Sequence, residues 1–191
     1  MKLSTLALLL VPASLAAQNA PAGPPTDPIT TSFRTRIAGF YRNLPQAFDS
    51  IPADKFGFKP TAAQQTVGYV AQHLATDNYF FCNLFGDKKA MRTPEETSTP
   101  DSVKATWPKA KLVAQLKESV AFCQDAFTQL NDARLPETIS YSFGGGPTRT
   151  APRAAMVLGH AIDLADHYSQ IANYMRLNGL LPPTALPRPR P

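Results

Sequence analysis

The three histidines of this chain are the residues whose type and spacing best suit chemistry. His73 lies in one segment with helical periodicity, and His160 and His167 lie in another. Asp163 precedes His167 by four residues, which places both side chains on one face of a helix, one turn apart. If that face meets the one carrying His73, two imidazoles and a carboxylate converge on one point.

This donor set is typical of a divalent metal site. Two imidazoles and one carboxylate suit zinc, iron(II), nickel or manganese, with coordination positions left for water. His160 and His167 stand two turns, or about 10 Å, apart along a helix axis. We therefore expect His160 to support the ligands rather than to bind the same ion. Asp77, four residues after His73, is placed to accept a hydrogen bond from that ring's other nitrogen.

The same residues also fit a protein without metal. A histidine inside a helix is often a hydrogen-bonded core residue, and the aspartates near it can simply be solvated. If the site is catalytic, Asp77 and Asp166 are the nearby candidates for a general base. The residue types alone leave both interpretations open.

Hydrophobic periodicity predicts four long helices that would position these residues. The first begins at Asp27-Pro28, an N-cap residue followed by proline at the first helical position. Pro45 should kink or end it, because proline removes a backbone donor. The other three helices cover about residues 66–85, 107–130 and 152–177.

The remaining segments are predicted to connect the helices. Residues 87–106 are polar and contain two prolines, which indicates a long surface loop. Residues 139–143 alternate as a strand does, and glycines 144–146 follow. The prediction is an all-α four-helix bundle with a short extended insert before the last helix.

The two ends of the chain differ in composition from the middle. Lys2, an apolar run and small residues up to Ala16 predict a signal peptide over residues 1–16. A proline-rich linker follows at 17–27, the bundle occupies 28–185, and a Pro/Arg tail covers 186–191. No later segment has the apolar length of a membrane span. We therefore expect a secreted or periplasmic protein.

The two cysteines are interpreted in the light of that export. Cys82 and Cys123 lie on neighbouring predicted helices, and outside the cytosol they can form a lasting disulfide. Such a bond would close a loop of about forty residues and add roughly 2–4 kcal/mol of stability. Two buried free thiols are the alternative. Cys82 lies about 180° round the helix from His73, so it would face away from an ion bound there.

The net charge of +5 does not indicate a nucleic-acid partner. The basic residues form no run and do not alternate with aromatic residues along the chain. We expect no nucleic-acid binding from this composition.

Three segments resemble the DinB/YfiT-like superfamily. They are residues 73–82, residues 166–183 and the loop 56–61 before the second helix, and the similarity covers about residues 28–185. The resemblance implies a four-helix bundle. It also implies a metal held by three histidines, one on the second helix and two in a His-x-x-x-His pair on the fourth.

The ligand set of this chain departs from that pattern at one position. The second-helix ligand corresponds to His73 and the last ligand to His167, but the remaining histidine is replaced by Asp163. Three arrangements stay open: Asp163 replaces the imidazole, His160 reaches in from its neighbouring turn, or the metal has been lost.

The resemblance implies two classes of function. One is a metal-dependent enzyme, a hydrolase or a thiol-dependent transferase, acting on a small molecule through His73, Asp163 and His167. The other is a non-catalytic binding or stress-related bundle that has lost its metal. The family's association with DNA damage gives a weaker third option, against which export and charge both argue. Members often pair, so a homodimer is a further expectation.

Overall fold

The computed structural model describes residues 26–187. The predicted signal peptide, almost all of the linker and the end of the tail lie outside the described residues. The helices and strands are α1 (Pro28–Ser50), α2 (Val67–Gly86), α3 (Pro94–Ser98), α4 (Asp101–Lys104), α5 (Lys109–Thr128), β1 (Thr138–Tyr141), β2 (Arg149–Pro152) and α6 (Arg153–Leu177).

The four long helices α1, α2, α5 and α6 form a bundle around one hydrophobic core. Helix α2 packs mainly against α5 and α6, and α1 packs against α6 and α5. Strands β1 and β2 form an antiparallel hairpin that leads directly into α6. The predicted all-α four-helix bundle with a short extended insert is therefore confirmed. The largest fully buried side chains include Phe48, Phe85, Leu112, Leu116, Leu164, Ile171 and Tyr174.

Helix α1 is capped differently from the prediction. Asp27 occupies the N-cap position but makes no side-chain hydrogen bond to its own helix. The carboxylate of Asp132 instead accepts from the backbone N–H groups of Ile29 (3.0 Å) and Thr30 (2.7 Å). Asp27 in turn accepts from the backbone N–H of Asp132 at 2.9 Å. Asp132 therefore caps α1, and Asp27 in return binds the backbone of Asp132. The segment after α5 thus fixes the position of the first turn of α1.

Pro45 neither ends α1 nor separates it into two helices. The helix continues to Ser50, because Leu44, Ala47 and Phe48 on both sides of the proline are fully buried. Packing of these side chains outweighs the single backbone hydrogen bond that proline removes.

The prediction of a loop over residues 87–106 was wrong, because the segment contains two short helices. Helix α3 begins with a capping box, in which Thr93 and Glu96 bond each other's backbone N–H. Helix α4 approaches α2 closely: a Cβ on Gly68 would lie 2.3 Å from the carbonyl oxygen of Ala105. Only glycine fits there.

A disulfide joins α2 to α5, as the sequence predicted. The Cα atoms of Cys82 and Cys123 are 5.2 Å apart, and both residues are fully buried. Within residues 26–187, none of the helices combines the length and the hydropathy needed to cross a membrane.

Candidate metal centre

Helices α2 and α6 bring His73, Asp163 and His167 together. The two helices run antiparallel, so that the His73 ring meets the His167 ring edge-on with centroids 4.9 Å apart. One candidate ligand atom from each of the three residues lies within 4.8 Å of the other two. The side chains of His167 and Asp163 are 15% and 16% exposed, so the cluster lies just below the surface.

A chain of hydrogen bonds determines which nitrogen of His167 faces the cluster. The hydroxyl of Tyr174 donates to the carbonyl oxygen of Gln65 at 3.1 Å, and it therefore accepts from the Gln170 amide N–H at 3.0 Å. The amide oxygen of Gln170 is then the atom that accepts from Nδ1 of His167, at 3.0 Å. An amide oxygen only accepts, so Nδ1 carries a proton and Nε2 is left for another partner.

Nε2 of His167 faces a carboxylate. It lies 3.3 Å from Oδ1 of Asp163, and among the described residues the other oxygen, Oδ2, is buried with no hydrogen-bond partner. A neutral Nε2 and a carboxylate oxygen both carry lone pairs, so they need a proton or a cation between them. The donor set and the unpaired oxygen both fit a divalent metal ion.

The pKa values of the two histidines shift in opposite directions. Burial lowers the pKa of His73, and the nearby His167 lowers it further. Burial acts in the same direction on His167, but hydrogen bonds to Asp163 and Gln170 outweigh it and raise the pKa of His167. The lowered pKa of His73 favours the neutral imidazole that a metal requires.

Asp77 lies at the edge of the cluster. Its Oδ2 is 3.2 Å from Nε2 of His73, one turn earlier on α2. Burial, together with the neighbouring carboxylate of Asp163, raises the pKa of Asp77 to about 7. A carboxyl group with a pKa near neutrality can both accept and return a proton, as a general base does.

His160 does not support the ligands as the sequence led us to expect. It is fully buried in the core, where its Nε2 is 2.7 Å from the Tyr41 hydroxyl and 3.9 Å from Sγ of Cys82. His160 precedes Asp163 by three residues, so the two side chains point about 60° apart around the helix axis. That rotation is enough to turn the His160 ring from the cluster into the core. The arrangement in which His160 reaches the ion is therefore excluded.

Asp166 is not brought into the cluster either. It is exposed and lines a separate cavity of about 440 Å³ together with Gln64 and Gln170. Its charge acts on His167 only at a distance. Of the two predicted general bases, only Asp77 lies beside a candidate ligand.

Sequence reasoning missed three residues around the centre. Gln170 follows His167 by three residues, a spacing that could have indicated it. Gln65 gave no such signal, because it contributes its backbone carbonyl group, which every residue type has. Asp101 gave none because it lies in the segment that was predicted to be a loop. Asp101 is close enough to raise the pKa of Tyr69 and of Asp77.

Three solved structures share the fold at low sequence identity. A DinB-like protein from Bacillus cereus is 18% identical, with a TM-score of 0.60 over 80% of this chain and 95% of that one. A DinB family member from Exiguobacterium sibiricum is 20% identical, with a TM-score of 0.52 over 78% and 91%. A mutant of mycothiol-dependent maleylpyruvate isomerase is 16% identical, with a TM-score of 0.56 over 76% and 60%. At these identities the likeness concerns the fold.

No protein with a curated function matches the chain. The sequence profile of the DinB superfamily, in contrast, matches residues 37–171, which include α2, α5, the hairpin and the ligand-bearing part of α6. That match spans more than half of the chain. Together with the helical bundle, it shows that this protein belongs to the DinB superfamily.

Proposed function

We propose that His73, Asp163 and His167 hold a divalent metal ion and that the protein is a metal-dependent enzyme acting on a small molecule. The observation that carries the proposal is the buried Oδ2 of Asp163, which has no hydrogen-bond partner within residues 26–187, beside Nε2 of His167. Burying a carboxylate oxygen without a partner is costly, and a cation at this point would offset that cost.

The proposed chemistry is nucleophilic attack with Asp77 as the proton acceptor. Zinc held by these three residues would lower the pKa of a coordinated water to about 7. Asp77 stands 3.2 Å from His73, close to the ion's place, and can take the proton that the nucleophile loses. Gln170 holds the His167 ring in the orientation that presents Nε2.

Hydrolysis and thiol transfer are the two reaction types that we carry forward. One structural relative is by name mycothiol-dependent, so thiol-dependent chemistry occurs on this fold. Hydrolysis is favoured if the chain is exported, because low-molecular-weight thiols are mainly cytosolic. The signal peptide, the secreted or periplasmic location and the homodimer remain predictions.

A metal-free bundle is the second candidate function. It is favoured by the raised pKa of His167, which burial opposes and which the hydrogen bonds to Asp163 and Gln170 cause. A protonated His167 would form an ion pair with Oδ1 of Asp163 at 3.3 Å without any metal. The protein would then act as a binding or stress-related module.

Metal analysis separates the two candidates. The untagged protein is incubated with zinc, manganese, nickel and iron(II) in turn, dialysed, and its metal content is measured. We expect about one ion per chain in the wild type and a loss of at least 90% in His73→Ala and His167→Ala. Asp166→Asn, an exposed change on the same helix, should retain the ion. Failure of the wild type to retain any of the four metals would contradict the enzyme proposal.

Replacing Gln170 by leucine tests how the His167 ring is held. The variant removes the acceptor of Nδ1–H, so the ring can rotate and Nε2 is no longer presented to the ion. We expect zinc affinity to fall by about 10–100-fold, measured by competition with a chromogenic chelator. Gln64→Leu is the matched control, because Gln64 lines the same cavity and does not contact His167. Equal affinities in the two variants would contradict the assigned orientation.

A further inference from the structure

A cavity of about 610 Å³ adjoins the candidate metal centre. It lies between the segment 53–57, the N-terminus of α2 and the connection from α4 to α5. Its volume falls in the range of small-molecule sites, which is about 300–1,000 Å³. The cavity therefore has room for a ligand several times larger than a water molecule, and its walls indicate which ligand.

Three aromatic side chains line this cavity: Phe56, Tyr69 and Trp107. Phe56 is 7% exposed and packs against the fully buried Phe48. The Trp107 ring is held by Lys111, whose Nζ lies 3.4 Å from the ring centroid. Rings fixed in this way offer preformed apolar surfaces against which a flat ligand can stack.

The charge of the lining favours an anion. Lys109 is the one charged residue among those that line the cavity, and no aspartate or glutamate belongs to that set. Its Nζ donates to the backbone carbonyls of Asp49 and Ile51, both at 2.7 Å. An ammonium group has three N–H donors, so one remains for a ligand. The hydroxyls of Thr66 and Ser102 add further donors.

Tyr69 connects the cavity to the metal centre. Tyr69 lines the cavity, and its ring stacks on the His73 ring with centroids 5.9 Å apart and planes inclined by 27°. A ligand in contact with Tyr69 thus touches the residue that stacks on His73. Tyr69 thus lies between the cavity and the metal centre, so a molecule bound in the cavity is next to the candidate ligands.

We propose that this cavity binds an aromatic carboxylate and that such a compound is the substrate class of the metal centre. The ring packs among Phe56, Tyr69 and Trp107, and the carboxylate accepts from Lys109. The assignment as substrate rests on the proposed function, whereas binding in the cavity does not.

The single tryptophan of the chain makes the binding directly measurable. Metal-free wild-type protein is titrated with benzoate, benzamide and acetate while Trp107 fluorescence is recorded. We expect a saturable change with benzoate and an affinity at least tenfold lower for benzamide, which lacks the charge, and for acetate, which lacks the ring. The absence of a saturable change with benzoate would overturn the proposal.

Variants locate the binding in the cavity. Lys109→Gln and Tyr69→Ala should each weaken benzoate binding at least tenfold, and Tyr69→Phe should retain it because the ring is kept. Lys117→Gln is the matched control, since Lys117 lies on the same helix and pairs with the Asp49 carboxylate outside the cavity. Equal weakening in Lys109→Gln and Lys117→Gln would show that benzoate binds elsewhere and would overturn the proposal.

The substrate assignment has its own measurement. Benzoate should shift the ring proton resonances of His73 in the metal-free protein and leave those of the distant, buried His160 unchanged. Binding without a shift at His73 would overturn the substrate assignment. Because neither measurement uses metal, a protein that binds benzoate but retains no metal would refute the metal centre, and with it the substrate class, while the cavity would stand as a binding site.

Discussion

Replacement of Arg153 by methionine should lower the free energy of unfolding by about 2–3 kcal/mol. The Arg153 side chain is 5% exposed at the start of α6. It donates to the carbonyls of Leu84 and Phe85 at 2.9 and 2.8 Å, which are otherwise unpaired acceptors at the end of α2. It also pairs with Asp87 at 3.0 Å and with Glu137 at 2.7 Å. Methionine fills similar space but leaves the two carbonyl oxygens without this donor and the two carboxylates with Arg134 alone.

The cost arises mainly at the carbonyl oxygens that Arg153 binds. The side chains of Asp87 and Glu137 are 55% and 44% exposed, and both stay paired with Arg134. Burial opposes ionisation of Asp87, yet hydrogen bonds from Arg153 and Arg134 outweigh it and lower the pKa of Asp87. The bond from Arg153 to the Phe85 carbonyl is buried, so removing the donor leaves a buried acceptor unsatisfied, which is costly.

Urea unfolding of Arg153→Met and Arg134→Met measures the difference. Arg134 pairs with the same two carboxylates but is 24% exposed, so we expect its replacement to cost about 1 kcal/mol or less. A similar loss of stability in both variants would contradict the role assigned to burial. The slope of the unfolding curve should stay unchanged, because neither variant alters the surface exposed on unfolding.

Because of His160, the free energy of unfolding should fall by about 3 kcal/mol when the solution is acidified. Burial lowers its pKa to about 4, despite the opposing charge of Asp163. In the unfolded chain an ordinary histidine titrates near 6.5. Between these two values the unfolded state binds more protons than the folded state, so stability falls as the pH decreases from about 6.5 to about 4. Each unit of separation corresponds to about 1.4 kcal/mol.

The surroundings of the ring explain this sensitivity. His160 contacts the Tyr41 hydroxyl, Sγ of Cys82 and the rings of Phe81 and Phe85, none of which carries a charge. Among the described residues its Nδ1 has no hydrogen-bond partner. Protonation would place a charge in the core, and the charge of Asp163 offsets only part of the cost.

The experiment compares wild type with His160→Gln at several pH values. Asp77 titrates in the same range with the opposite sign, since burial and Asp163 raise its pKa to about 7. The difference between the two proteins cancels that contribution. We expect the advantage of the wild type to shrink by about 3 kcal/mol between pH 7 and pH 4. A constant difference over this range would contradict the prediction, as would an NMR titration of His160 near 6.5.

Some of the fold was predictable because it depends on local periodicity. The apolar spacing predicted the bounds of α2, α5 and α6 to within a few residues, and Asp27-Pro28 predicted the start of α1. The segment 87–106 was missed, because α3 and α4 are too short to show a period. Their existence depends on a capping box at Thr93 and on the close approach of Ala105 to Gly68.

The sequence by itself determined how two of the three candidate ligands, Asp163 and His167, lie relative to each other. The spacing of four residues between Asp163 and His167 puts both side chains on one face wherever the helix lies. The cysteine pair was likewise indicated by two neighbouring helices.

Only the tertiary structure decided the rest. It set the rotation of α6, which sends His160 into the core while Asp163 stays at the edge, and it brought His73 from α2 to within reach. It also assembled the aromatic cavity from three separate segments. A helix pattern specifies which residues share a face, but the contacts between faces arise from packing of residues far apart in the chain, and no local spacing encodes them.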